Sequence, residues 1–519
     1  MVSRFVWRVS WSIAWLCFAS AAIHEGLAQQ TKGRNTLAAV QEKHRDHYRE
    51  FAEELDKLVG FCQDKNLTEG VAQIQSRLIS PDDQSVNLTA LPRDIQPEIP
   101  NQLAADERFW QTQLRKHDTE YAKKLYLLSR QSLHNGNPSY AYRLVREAAV
   151  HDPDHPQVRK ILGYTRSGNE WVTPFAAEMI RKQYVWHEEF GWLLKSHLPR
   201  YAAGERNVDG RWVTKAKEPV LRQDFAKAWQ IRTDHYLIKT NYSLERGVEL
   251  GKALEDYYEF FNETFAGFFN TPEQLTKLFE GTAKSVRSDV KPYVVHYYRT
   301  REEYLDRLKI DFPNIAQTNG VYMTKGMTNG RVAHFYHDPN AKNEATLYHE
   351  ATHQLFFESH NQDRPIGDAA HFWIIEGIAC YMESFHSQDG VVTVGDPQYI
   401  RFAGARANLL AENSYYVPLR LFSGLGMREF QNAPELTKNY TQASGLARFF
   451  MHFDNGRYRE ALVTHLSQLY SGNNSIRNQA EGLDKLTGVE FEDLDRQYLE
   501  DARQVDQAAV DERSEKVEG

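Results

Sequence analysis

The chain has 519 residues, 41% of them hydrophobic and 12% aromatic, which is enough for a packed core and for roughly two to four domains. The net charge is only -8, and no dense Lys/Arg run or repeated basic-aromatic stripe occurs, which argues against nucleic acid as a partner. Three cysteines are too few for a disulfide scaffold.

At the amino terminus Arg4 and Arg8 precede an apolar stretch from Trp11 to Ile23, and Gly26-Leu27-Ala28 sets small residues where a signal peptidase cuts. The stretch is short for a bilayer span, so residues 1–28 read as a cleavable signal peptide. A secreted or periplasmic protein starting at Gln29 is expected, with no membrane span after signal removal; an uncleaved anchor is the alternative. The surroundings of Cys17 do not form a lipoprotein box. Of the remaining cysteines, Cys62 and Cys380, one bridge or two free thiols are equally open.

Residues 29–120 are polar and helical in pattern, interrupted by a proline-bearing loop around Ser80 to Pro100. In residues 121–164, Leu128, Ala141, Ala148 and Pro153 fall at the spacing of a tetratricopeptide-like helix pair, with Leu162-Gly163 opening a partial second unit. One repeat makes no solenoid, so packing is its expected role, with docking of a protein partner as the functional alternative. Residues 165–225 hold two similar turn-plus-tryptophan stretches, around Trp171 and Trp212, and predict a small β-containing module with a helix from Phe175 to about Glu189.

Residues 226–510 carry the chemistry. A strand over Trp229 to Lys239, a long aromatic helix over Ser243 to Phe269, a strand over Pro292 to Tyr298 and a helix over Thr300 to Leu308 are predicted from their periodicity. Gly320-Val321-Tyr322-Met323 and Arg331 to His337, separated by a stretch ending Thr328-Asn329-Gly330, read as a hairpin, with His334 and His337 as solvent-facing strand residues. The second strand offers backbone groups to an extended peptide.

Next comes His349-Glu350-Ala351-Thr352-His353, in a segment without Gly or Pro that reads as one helix. Residues four apart share a helix face, so both imidazoles can hold one ion while Glu350 stands beside it, where a general base belongs. A catalytic zinc needs a third protein ligand and an open fourth position. A histidine six residues after His353 would be Ser359, so that route fails. Glu376 lies 23 residues beyond His353 in the apolar run Phe372 to Phe385, where a carboxylate is costly unless paired or bound to a cation. The ligand set is therefore His349, His353 and Glu376, for Zn²⁺. Cys380, one turn after Glu376, would close the site as a fourth ligand, although a small-residue packing role suits it better. Glu383 is a candidate to orient an imidazole.

His349-Glu350-x-x-His353 followed by Trp373-x-x-Glu376-Gly377-x-Ala379-x-Tyr381 resembles the gluzincin metallopeptidases, which include thermolysin-like enzymes and the branch of aminopeptidase N and leukotriene A4 hydrolase. The likeness covers roughly residues 290 to 470. More narrowly, the whole chain is similar to secreted bacterial proteins of unknown function with a peptidase-like C-terminal domain. The resemblance implies that Gly377 and Ala379 let the glutamate helix pack closely on the motif helix. It also implies that Tyr440, in Tyr440-Thr441-Gln442-Ala443-Ser444-Gly445, donates a hydrogen bond to the oxyanion, although the glycine comes two positions late. The aminopeptidase Gly-x-Met-x-Asn strand is missing before His349, which favours internal cleavage.

The expected fold is thus α+β and predominantly helical: a helical, tetratricopeptide-like N-terminal region, then a gluzincin-like domain with a small mixed sheet and a helical C-terminal lobe from about Pro397, with the cleft between them. The expected function is hydrolysis of peptides or proteins. The rivals are a non-catalytic extracellular binding protein on the same fold and a zinc hydrolase of a non-peptide substrate.

Overall fold

The computed structural model describes residues 10–83, 86–87, 91–283, 291–324, 330–340, 344–360, 366–388 and 390–518. The chain is mixed α+β with helix predominating. Arg4 and Arg8 lie outside the described residues, as does most of the turn ahead of Gly330. From Ser10 onward the chain is one helix to Asp64. Among the described residues no helix is long and apolar enough to cross a membrane.

The N-terminal region is helical, with a loop between Gln75 and Ala105 as expected. The tetratricopeptide-like stretch contains the C-terminal half of Ala105–His134 and all of Pro138–His151, two helices that pack on each other. Phe51, Leu55, Trp110, Leu125 and Leu144 form a separate core with their neighbours. Ion pairs and a hydrogen bond fasten this region to the rest: Arg146 pairs with Glu259 and Glu263, and Ser139 Oγ donates to Glu460 at 2.5 Å. A charge at such a junction is kept only because its partner is there too.

Residues 165–222 form three consecutive units, each a two-stranded hairpin followed by a short helix. Trp171, Trp192 and Trp212 hold the same place on the second strand of each hairpin. The single helix expected from Phe175 to Glu189 is corrected to Pro174–Arg181. Gln183 turns left-handed, at φ 67°, and the aromatic, β-branched Tyr184–His187 then pairs with Gly191–Leu194.

A five-stranded mixed sheet follows, in the order Gly320–Met323, Val332–Tyr336, Tyr293–Tyr298, Tyr236–Thr240, Trp229–Arg232. The three inner strands run parallel and both edges antiparallel, so the hairpin expected before the motif is present. The single strand expected over Trp229 to Lys239 is instead a tight hairpin. Glu255 accepts from the Thr233 hydroxyl at 2.5 Å and the His235 amide at 2.7 Å, which folds the chain back. The aromatic helix Leu244–Thr264 lies against this hairpin, where a Cβ on Gly247 would fall 2.5 Å from Ile231. His334 is fully buried, not solvent-facing, with its Nδ1 3.0 Å from the Tyr298 hydroxyl. The inner strand is covered on both faces, as parallel sheets are.

Beyond the sheet come the motif helix Ala345–Ser359 and the glutamate helix Phe372–Met382, then helices only from Ile400 to Glu518. One continuous core joins sheet, motif helix, glutamate helix and lobe.

Candidate metal centre

Packing fixes the motif helix in place and rotation. On its inner face Thr352 Oγ1 lies 2.6 Å from the Tyr257 hydroxyl, and Gln354 donates to the carbonyl of Val294 in the sheet. This turns His349 and His353 the other way, toward the glutamate helix. That helix starts at His371, held at φ 63°, whose N–H donates to the Ser423 carbonyl, while Trp373 Nε1 donates to Ser423 Oγ. A non-glycine residue in this region costs roughly 1 kcal/mol or more and persists where its surroundings dictate it. Here the strained start sets the register that aims Glu376.

A small-residue expectation needs correction. Gly377 does permit a close approach, but to the lobe helix Leu436–Gly456: a Cβ there would lie 2.7 Å from the carbonyl oxygen of Ala443. The reason is rotational. With Glu376 facing the imidazoles, the next residue along points about 100° away, at the opposite neighbour.

The three expected ligands come together. The Nε2 atoms of His349 and His353 are 3.3 Å apart, and Glu376 Oε2 lies 3.6 Å from the first and 3.8 Å from the second. Tetrahedral ligands about 2.0 to 2.2 Å from a zinc ion are about 3.3 to 3.6 Å from one another, so the donor set fits that ion with almost no rearrangement. The ligand side chains keep 16%, 19% and 12% of their surface exposed, so the site opens to solvent. Burial alone would lower the pKa of His349, but hydrogen bonds to Cys380, Glu376 and Glu383 outweigh it and hold it well above the ordinary value. For His353 burial wins and the imidazole titrates low.

Glu350 does not enter the ligand set. Its Oε2 accepts the backbone N–H of Tyr322 at 2.8 Å, on the edge strand Gly320–Met323. Tyr440 lies in the second turn of Leu436–Gly456, half-buried, its ring edge-on to Phe430 at 5.2 Å. Burial, and after it the negative charge of Glu376, keep its phenol protonated well above the ordinary range. It is therefore available as a donor within the electrostatic reach of the metal ligands.

Glu383 meets the expectation for an imidazole-orienting residue: its Oε1 is 2.9 Å from His349 Nδ1. Missed in the sequence were Arg401, whose Nε and Nη2 reach Glu383 Oε2 and Oε1 at 2.5 and 2.7 Å, and Tyr399, whose hydroxyl donates to Oε2 at 3.2 Å. No spacing announces them, because a hairpin, His386–Gln388 with Val391–Thr393, lies between the two partners. Both Cys62 and Cys380 are free and buried. Cys380 groups with His349 and Glu383, separately from the set formed by His349, His353 and Glu376. It is thus no fourth ligand to that set.

No protein-family model, characterised protein or solved structure matches the chain.

Proposed function

We propose that this chain is a zinc-dependent metallopeptidase of gluzincin type, secreted or periplasmic, that cleaves peptide bonds with Glu350 as general base. The observation that carries this reading is the trio of donor atoms 3.3, 3.6 and 3.8 Å apart, with the Glu350 carboxylate next to it in sequence, on the same helix and outside the ligand set.

His349, His353 and Glu376 would hold the ion, which when bound polarises a carbonyl and makes water acidic enough to lose a proton near neutral pH. Glu350 takes that proton and returns it to the departing amine, so the carboxylate ends as it began. The N–H of Tyr322 restrains Glu350. Tyr440 donates a hydrogen bond to the oxygen that gains charge as the carbonyl becomes tetrahedral. The second strand of the hairpin, expected to present backbone groups to a peptide, is paired on both sides, so that role passes to Gly320–Met323, which among the described residues is the edge of the sheet.

The test is zinc analysis of the purified protein together with cleavage of an unbiased peptide library, with and without chelator. About one zinc per chain and chelator-sensitive cleavage are expected. Zinc without cleavage of any peptide would favour a non-peptide hydrolase or a binding protein, and absence of zinc would overturn the site.

A further inference from the structure

His349 stands between two groupings of potential ligands. Its Nε2 faces His353 and Glu376, while its Nδ1 is 2.9 Å from Glu383, in a second set that includes Cys380. A thiol, an imidazole and a carboxylate would suit zinc as well as the first set does. Arg401 distinguishes them. Its guanidinium takes both oxygens of Glu383 in a two-pronged contact, 2.5 and 2.7 Å, and Tyr399 adds a third donor. The second set already contains a cation, and it is a side chain.

We propose that Arg401 is a positioning residue for the metal centre, acting through Glu383 on His349. The chain of contact runs from guanidinium to carboxylate to Nδ1, and leaves Nε2 as the ring nitrogen directed at His353 and Glu376. Glu383 sits just past the end of the glutamate helix, and the fork of Arg401 has the planar geometry that fixes a carboxylate. Fixing it orients the ring, and a metal-bound histidine held this way loses affinity when the outer partner is removed. The same guanidinium keeps a second divalent ion out of the grouping that contains Cys380. Arg401 belongs to Ile400–Leu410, outside both metal helices, so ligand geometry is tied to the lobe.

This inference rests on the zinc reading, and affinity measurements separate the two. Zinc dissociation constants are measured by competition with a chromophoric chelator for the full chain and for Arg401→Met, Arg401→Lys, Glu383→Gln and Glu376→Gln. Arg401→Met and Glu383→Gln should bind zinc about tenfold to hundredfold more weakly, with Arg401→Lys recovering part of the loss because it keeps the charge but not the fork. Glu383→Gln preserves shape, and so tests the idea if Arg401→Met does not fold. With Co²⁺ in place of zinc, the natural chain should show no thiolate-to-cobalt absorption. Affinity within twofold of the natural chain in both folded Arg401→Met and Glu383→Gln, while Glu376→Gln loses zinc, overturns the role of Arg401 and leaves the peptidase reading intact. So does a lowered melting temperature of the metal-free variants with zinc affinity unchanged, or a thiolate band in the natural chain. A natural chain that binds no zinc overturns both.

Discussion

The carboxylate of Glu350 and the backbone N–H of Tyr322 are joined at 2.8 Å, which ties the motif helix to the outermost strand of the sheet. One oxygen is used by this contact and the other is left for chemistry. On the proposed function, a peptide laid along the same strand would lie beside Glu350.

Replacing Glu350 by Gln should keep zinc and remove hydrolysis. The amide oxygen can still accept from Tyr322, so the fold survives, but the base is gone, and proton transfer of this kind contributes about 10²- to 10⁴-fold to rate. Metal content and initial rates on the best library peptide measure this, and full activity would refute the assigned base.

His353→Ala should lose the metal. Two ligands remain, and the vacancy opens onto a partly exposed site where water takes its place. Equilibrium dialysis against zinc reads the loss directly; retention of stoichiometric, tightly held zinc would mean that the ion sits elsewhere.

For Tyr440→Phe the rate constant kcat should fall by about 10²- to 10³-fold with little change in KM, since the lost donor serves only the charge that develops in the transition state. Equal kcat in the two proteins would return Tyr440 to a packing role against Phe430.

Acid should destabilise the fold through histidines buried in their neutral form. Burial holds His334 down to about 3 and His296 down to about 4, against an ordinary 6.5. As pH falls below 6.5 the unfolded chain takes up protons that the native state refuses, so stability is complete above that value and lost progressively toward 4 and 3. Melting temperatures between about pH 7 and pH 5 should drop, and His334→Phe should flatten the slope. An unchanged slope would locate the acid sensitivity in other groups.

Gly377→Ala should destabilise the protein by about 1 to 3 kcal/mol, because the added methyl meets the Ala443 backbone at 2.7 Å and neither helix can yield without disturbing the core. Chemical denaturation of the metal-free proteins provides the comparison. Zinc affinity should fall as well, since any shift of the glutamate helix moves Glu376.

Elements set by local pattern were legible. The paired histidines, the apolar helix of Glu376, the hairpin at Gly320 and the helical C-terminal lobe all follow from periodicity that each segment carries within itself. Misreadings came where a single residue broke the pattern for a nonlocal reason: Glu255 folding Thr233–His235 into a turn, Gln183 reversing the chain before Tyr184, and the sheet closing over His334.

By itself the sequence determined that His349 and His353 share a helix face with Glu350 beside it, because 3.6 residues per turn is a property of the backbone. It also marked Glu376 as a charge that an apolar helix would not carry without a partner. Only the tertiary structure decided that the three donors meet within a zinc ion's reach, that Tyr322 holds Glu350, and that Arg401 secures Glu383. Those contacts join segments whose separation in the chain carries no information about distance. They depend on how helices rotate and cross when side chains interlock, and that is settled by packing the whole core at once.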